Sequence, residues 1–280
     1  MGYIFWDPNP VIFTLPVLNW PIFWYGLLFA LGFLIGMPIF VDVLTRFLGA
    51  DQKQMAKHIT DRLLIYIIIA TIFGARLGHF LFYERPSSYL SDPLDFFRVW
   101  QGGLASHGAI VAIILALILF SYRIRNTAPT LHWVRLLDFI SIPTAFAACC
   151  IRVGNFINQE ILGTVTDLPW GVVFGHPAGG GPLVPRHPVQ LYEAFFYLAV
   201  FVLLWRLSFK PSFLNIPGKL IGLFLILVFG FRFMIEFIKL EQSHLMEVSF
   251  LTMGQILSVP AVIGGFIFYF WNRFPSKGGR

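Results

Sequence analysis

The sequence is poor in charge. Asp, Glu, Lys and Arg make up 12% of its 280 residues, about half of the roughly 25% that soluble globular domains carry. Hydrophobic residues account for 57%, and the mean hydropathy is +0.75. One water-soluble core cannot bury so much apolar surface, so the composition argues against an ordinary soluble fold and indicates lipid as the solvent.

Cysteine is also scarce. The two cysteines, Cys149 and Cys150, are adjacent, and there is no CxxC or Cys/His ligand spacing. Neither a disulfide scaffold nor a zinc site is therefore expected. No basic run with interleaved aromatics is present, so we expect no nucleic-acid partner despite a pI near 9.5. Residues 1–20 contain no Lys or Arg, so they lack the basic region of a cleavable signal peptide and are expected to stay attached.

Long apolar stretches dominate what is there. A membrane-spanning helix needs about 20 mostly apolar residues, and this criterion predicts an all-α, polytopic membrane bundle with one integral-membrane catalytic domain over 1–280. The seven predicted transmembrane helices are 21–43, 63–83, 105–122, 136–150, 188–207, 220–237 and 252–271. The connection at about 151–187, rich in Gly and Pro, is expected to form an arm over the outer face.

The basic residues predict the orientation of the bundle. Thirteen of the 20 fall in one set of connections and seven in the other. By the positive-inside rule the richer set is cytoplasmic, which puts the N-terminus outside and the C-terminus in the cytoplasm. The seven outer basic residues are Arg76, Arg85, Arg98, Arg152, Arg186, Arg232 and Lys239. Six of these seven are Arg, whose planar fork suits phosphate or carboxylate, so the outer side is interpreted as a recognition surface.

Ionisable residues near the outer ends of spans are candidates for a functional site, because charge inside a membrane is costly. They are Arg76, Arg152, Glu160, Glu193, Arg232 and Glu236. Arg232 and Glu236 are four residues apart, so an ion pair within one helix is an alternative explanation for them. Likewise, Gly74 and Gly78 form a small-xxx-small face around Arg76 that packing alone can explain.

Two further segments combine polar residues with an apolar setting. His107 lies at the outer mouth of the third span among glycines, and an imidazole can accept a proton near neutral pH. A lone histidine is more often structural than catalytic, so both readings stay open at this point. The stretch 151–163 places Asn155 and Asn158 on one helical face, and 186–194 places Arg186 and His187 at the start of the fifth span.

Together these stretches resemble the prolipoprotein diacylglyceryl transferase family. The motifs that carry the resemblance are WYGL at 24–27, GARLG at 74–78, GGLASHG at 102–108, RVGNFINQEILG at 152–163, RHPVQLYEA at 186–194 and FRFMIEFIK at 231–239. Two positions depart from the family pattern, Ile151 and Ala109, where the family usually has Gly. Both departures keep the ionisable groups and bear on local packing.

The resemblance implies an enzyme of the bacterial inner membrane that needs no cofactor or metal. Such enzymes move the diacylglyceryl group of phosphatidylglycerol to the thiol of the lipobox cysteine in a prolipoprotein signal peptide, releasing glycerol 1-phosphate. By this resemblance His107 lies near the thiol as base or orienting group, and Arg152 and Arg232 hold the phosphate. The expected substrate-binding residues are Tyr25, Arg76, Asn155, Asn158, Glu160, Gly163, Arg186, His187, Glu193 and Glu236. Glu160 or Glu236 is expected to hold an arginine in place.

Two other functional classes, a transporter and an intramembrane protease, would leave recognisable patterns in the sequence. A transporter that binds an anionic substrate would show inverted repeats or broken helices near the midplane, and neither is apparent. An intramembrane protease would show GxSxG, HExxH or paired catalytic aspartates, and the sequence contains none of these.

Overall fold

Seven long helices make up most of the protein. The structure is a computed structural model that describes residues 2–16, 19–83, 96, 98, 103, 105–240 and 251–270. The helices are α1 (Trp24–Leu48), α2 (Lys53–Tyr83), α3 (Ser106–Ile124), α4 (Trp133–Ile157), α5 (Val189–Leu207), α6 (Lys219–Ile235) and α7 (Met253–Phe270). All seven are long and apolar enough to cross a membrane. The predicted number of spans is confirmed, while Gly102, Trp271 and the basic residues after it lie outside the described residues.

The fourth span is longer than predicted. It was expected to end at Cys150, but α4 continues to Ile157 and therefore includes Arg152 and Asn155. These polar residues find partners inside the protein, so the helix does not need to end where the apolar run stops. The arm thus begins after residue 157, later than the expected 151.

Two small sheets accompany the helices and were not predicted. Strands β1 (Ile4–Trp6), β4 (Val172–Phe174) and β5 (Pro185–Arg186) form one sheet in the order β1-β4-β5, with β1 parallel to β4 and β4 antiparallel to β5. Strands β2 (Val11–Leu15) and β3 (Trp20–Phe23) form a hairpin before α1. The three-stranded sheet covers a small apolar core in which Trp6 stacks on Phe156 with ring centroids 4.6 Å apart.

The chain forms two compact units. The first comprises residues 1–43 and 138–280, and the second comprises 44–137. A single catalytic domain over 1–280 stays a prediction.

In the second unit, α2 and α3 pack through small residues. A Cβ at Gly74 would lie 2.7 Å from the carbonyl oxygen of Gly108, and one at Gly78 would lie 2.7 Å from the Gly108 Cα. Only glycine permits this approach, so the packing interpretation of the Gly74 and Gly78 face is confirmed.

In the first unit, a buried carboxylate from α4 caps α6. Asp138 accepts hydrogen bonds from the backbone N–H of Gly218 at 2.7 Å, Leu220 at 2.9 Å and Ile221 at 2.8 Å. These are N–H groups that a helix leaves without intrahelical partners at its start. The negative charge also opposes the positive end of the helix dipole, so Asp138 fixes the start of the helix that carries Arg232.

Candidate functional site

The last turn of α4 begins a chain of polar side chains. Arg152 donates from Nη1 to Oδ1 of Asn155 at 3.0 Å, and Asn155 donates from Nδ2 to Oε1 of Glu160 at 2.8 Å. Asn158 donates to the same Glu160 oxygen at 3.3 Å. The three-residue spacing of Arg152 and Asn155 puts both on one face of α4. Glu160 therefore reaches Arg152 through the Asn155 amide, and the two expected asparagines meet at one carboxylate.

Glu160 sits in a turn of unusual backbone conformation. Gln159 and Ile161 have φ angles of +56° and +57°, in a region that side chains rarely adopt and that is especially unfavourable for a β-branched residue. The turn is held from outside: Gln159 donates from Nε2 to Oδ1 of Asp7 at 3.1 Å, and accepts from the backbone N–H of His176 at 2.7 Å. Asp7 of the N-terminal segment and His176 of the arm thus hold Gln159, the residue before Glu160.

Glu193 is the centre of the charged network. Its side chain is completely buried, with Oε2 3.0 Å from Nε of Arg152 and Oε1 2.8 Å from Nζ of Lys239. The hydroxyl of Tyr197 donates to Oε1 at 3.2 Å. The carboxylate that directly holds Arg152 is therefore Glu193, while the sequence had pointed to Glu160 or Glu236.

The ion pair between Arg232 and Glu236 does not form among the described residues. Glu236 lies 3.6 Å from the ammonium of Lys239 instead, and packs against Gly254. The α-helix ends at Ile235 and Glu236 starts a 3₁₀ turn, and the backbone N–H of Glu236 still donates to the carbonyl oxygen of Arg232 although the two side chains do not pair. Nε of Arg232 is buried and has no hydrogen-bond partner in this part of the chain, and its charge acts on Tyr197.

Gly163 lies where three segments meet. It pairs with Lys239 in an antiparallel bridge, its carbonyl oxygen accepts a hydrogen bond from Arg186 at 3.4 Å, and a Cβ at this position would lie 2.7 Å from Cβ of His187. A side chain cannot enter this space, so only glycine lets His187 lie this close to residue 163, which also pairs with Lys239. Arg186 is buried, and this hydrogen bond joins its side chain to the backbone of the arm.

Several buried polar atoms of the site have no hydrogen-bond partner among the described residues. Gln190 donates to the carbonyl oxygen of Glu160 at 2.7 Å, but its own Oε1 has no partner among the described residues. The same holds for Oδ1 of Asn158 and Nδ1 of His187. Buried polar atoms are normally satisfied, so these atoms mark places for water or a polar ligand.

Tyr25 is close to the same network. A Cβ at Gly154 would lie 2.8 Å from the Tyr25 ring, and the phenol interacts electrostatically with Glu160 and Arg152. Because Tyr25 is the second residue of α1, it adds a third element to the site. The structure therefore brings together Tyr25 and the expected residues of 152–163, 186–193 and 232–236 within the first unit.

Arg76 and His107 belong to the second unit. Arg76 is buried and donates to the carbonyl oxygens of Phe96 at 3.1 Å and Gly103 at 3.2 Å. His107, half-buried in the first turn of α3, meets the ring of Phe82 edge-on at 4.9 Å between centroids. Their roles toward substrate stay predictions.

Sequence reasoning missed four polar residues of the site. Tyr197 follows Glu193 by four residues on α5, and Lys239 follows Glu236 by three, so helical spacing could have indicated both. Gln190 lay in a quoted motif without a role. Asp7 gave no signal, because its partner Gln159 is 152 residues away.

Two charged groups outside the spans have shifted pKa values. Hydrogen bonds from His176 and Gln159 hold the pKa of Asp7 below its ordinary value. Burial lowers the pKa of Lys239, although Glu193 opposes this effect.

The arrangement can bind an anion. Nη2 of Arg152 has no protein partner within the described part of the chain, while Nε and Nη1 are held by Glu193 and Asn155. A guanidinium fixed on one edge and free on the other presents donors to an incoming phosphate or carboxylate without reorganisation.

Known proteins resemble this chain along nearly its whole length. The family model of prolipoprotein diacylglyceryl transferase matches residues 10–271. The phosphatidylglycerol–prolipoprotein diacylglyceryl transferase of Tolumonas auensis is 44% identical, covering 94% of this chain and 95% of the relative. The enzyme of the same name from Porphyromonas gingivalis is 42% identical over 94% and 93%, and that from Protochlamydia amoebophila is 32% identical over 98% and 96%. The chain belongs to the prolipoprotein diacylglyceryl transferase family.

Proposed function

We propose that this protein transfers the diacylglyceryl group of phosphatidylglycerol to the lipobox cysteine of prolipoproteins, the first step of lipoprotein maturation. The relatives carry this activity in their names. The observation that carries the proposal to this chain is Arg152, whose guanidinium is fixed by Glu193 and Asn155 and keeps Nη2 free. Such a group is suited to the phosphate of a lipid.

The reaction exchanges one bond for another. The cysteine sulfur attacks the glyceryl methylene carbon next to the phosphate ester, so a C–S bond forms while the C–O bond breaks. The electron pair of the broken bond stays on the phosphate oxygen and glycerol 1-phosphate leaves. The thiol proton passes to a base, because a thiol with an ordinary pKa of about 8.5 is mostly protonated at neutral pH.

The residues divide these tasks. Arg152 and Arg232 would stabilise the charge that collects on the phosphate as the C–O bond breaks. Asn155, Glu160 and Tyr25 would orient the head group, Oδ1 of Asn158 would accept from its hydroxyls, and Nδ1 of His187 would accept or donate according to its tautomer. His107 would accept the thiol proton or orient the thiol. No step in this scheme needs a metal or a cofactor.

We further propose the inner membrane of a bacterium as the location, with the N-terminus and the site on the outer side. The charge distribution of the connections supports this orientation. Prolipoprotein signal peptides and phosphatidylglycerol would both reach the bundle within the membrane.

The test mixes the purified protein with phosphatidylglycerol and a lipobox peptide, and measures the diacylglyceryl mass increment together with glycerol 1-phosphate. We expect His107→Gln and Arg152→Lys to be folded and at least a hundredfold slower. The controls are His58→Gln and Arg206→Lys, two exposed positions outside the network. Movement of lipid without covalent product would show a transporter and overturn the proposal.

A further inference from the structure

Lys239 occupies a position between two carboxylates. Its ammonium is 2.8 Å from Oε1 of Glu193 and 3.6 Å from Oε2 of Glu236, and its side chain is only 6% exposed. The backbone of Lys239 is held as well, by the bridge to Gly163. Both the ammonium and the backbone of Lys239 are therefore held, whereas the side chain of a surface lysine moves freely in water.

Glu193 serves two cations at once. One oxygen faces Arg152 and the other faces Lys239, and the carboxylate is completely buried. A buried carboxylate strongly attracts any cation beside it, because water does not screen the pair. Each cation thus limits how much of the Glu193 charge is available to the other.

Because Glu193 is shared, its effect on the Nη2 side of Arg152, which has no partner among the described residues, is reduced. An arginine that fully neutralises a carboxylate has little attraction left for a second anion. An arginine that shares its carboxylate with a lysine keeps part of its charge for the phosphate at Nη2.

We propose that Lys239 is a positioning residue that sets the affinity of the site for a phospholipid phosphate by sharing Glu193 with Arg152. The proposal rests on the function proposed above. It predicts that loss of the lysine charge leaves Glu193 to Arg152 alone, so that the arginine binds the lipid phosphate less well. A purely structural lysine would instead tie the arm to α5 and affect folding alone.

The experiment uses the purified full chain and measures two quantities: KM and kcat with phosphatidylglycerol and a lipobox peptide, and equilibrium binding of phosphatidylglycerol without peptide. Lys239→Met should raise KM and weaken binding at least tenfold. Lys239→Arg should stay within threefold of the parent. The double variant Lys239→Met with Glu193→Gln should bind phosphatidylglycerol with at least a third of the parental affinity, because removing the carboxylate charge releases Arg152.

Folding is followed separately by the temperature at which Cys149 and Cys150, half-buried and buried in α4, react with a thiol-specific dye. If Lys239→Met alone does not fold, the charge-matched double variant decides: at least a third of the parental affinity supports the proposal, and less than a third overturns it. Unchanged KM in folded Lys239→Met, or a double variant no better than the single one, also overturns it. A parent that binds phosphatidylglycerol with the expected variant pattern but makes no thioether would sink the proposed function and leave the role of Lys239 standing.

Discussion

The two compact units join their helices by different means. In the second unit, α2 and α3 approach until glycine backbones touch, and the contact at Gly74 and Gly108 leaves no room for a methyl group. In the first unit, buried carboxylates join the helices: Asp138 of α4 accepts the N–H groups at the start of α6, and Glu193 of α5 holds Arg152 of α4. A glycine contact either fits or does not. A carboxylate contact can be divided between partners, as Glu193 is divided between Arg152 and Lys239.

The largest effect should follow from removing the shared carboxylate. Glu193→Ala leaves Arg152 and Lys239 buried without their common partner, and breaking a buried ion pair in this way costs about 3–5 kcal/mol. We expect a large drop in the unfolding temperature and less than 1% of the transfer activity. Equal stability of Glu193→Ala and the parent would show that the carboxylate does not hold α4 and α5 together.

A methyl group at the glycine contact should be next. Gly74→Ala places Cβ against Ala112 and 2.7 Å from the Gly108 carbonyl oxygen, and overpacking of this kind costs about 1–3 kcal/mol. The matched control is Gly230→Ala in α6, where a Cβ meets nothing within 4 Å, and where the gain in helix propensity should leave the unfolding temperature equal or higher. If both variants unfold at the same temperature, the glycine contact does not hold α2 and α3 together.

A smaller loss is expected at Asp138, the carboxylate that accepts the N–H groups at the start of α6. Asp138→Asn keeps one acceptor oxygen but replaces the other by a donor facing the Gly218 N–H, and loss of a cap costs about 0.5–2 kcal/mol. Melting curves should show the loss, while KM for phosphatidylglycerol stays within twofold. A tenfold rise in KM would mean that the two carboxylates are not distinct in function.

The smallest effect should come from the hydrogen bond between Gln159 and Asp7, which holds the turn at Glu160. The depressed pKa of Asp7 means that its contribution to stability is present above the ordinary carboxyl pKa and is lost as the pH falls through the folded-state value. Asp7→Asn should therefore unfold slightly earlier than the parent near pH 6, and the difference should shrink as the pH falls below the ordinary carboxyl pKa. A difference that grows in acid would contradict this assignment.

The sequence predicted the elements better than their connections. Apolar runs indicated seven helices, and charges near span ends indicated most of the site, because both depend on residues close in sequence. The end of α4 was placed too early, since Arg152 looked like a residue leaving the membrane until its partner Glu193 was known. The strand pairing of Trp6 with Phe174, and the bond from Gln159 to Asp7, join residues more than 150 apart. Periodicity contains no information about such pairs.

The bridge between Gly163 and Lys239 has a consequence for how the protein is made. The backbone N–H of Leu240 donates to the carbonyl oxygen of Leu162, and the backbone N–H of Thr164 donates to the carbonyl oxygen of Ile238. The arm is therefore hydrogen-bonded to residues that follow α6. During synthesis, Arg152 and Glu160 emerge about 80 residues before Lys239. A nascent chain that has inserted five helices already contains Arg152 but not Lys239 and Leu240, the residues that pair with the arm. The active enzyme therefore cannot exist before the sixth helix has entered the membrane, which ties its maturation to the order of helix insertion.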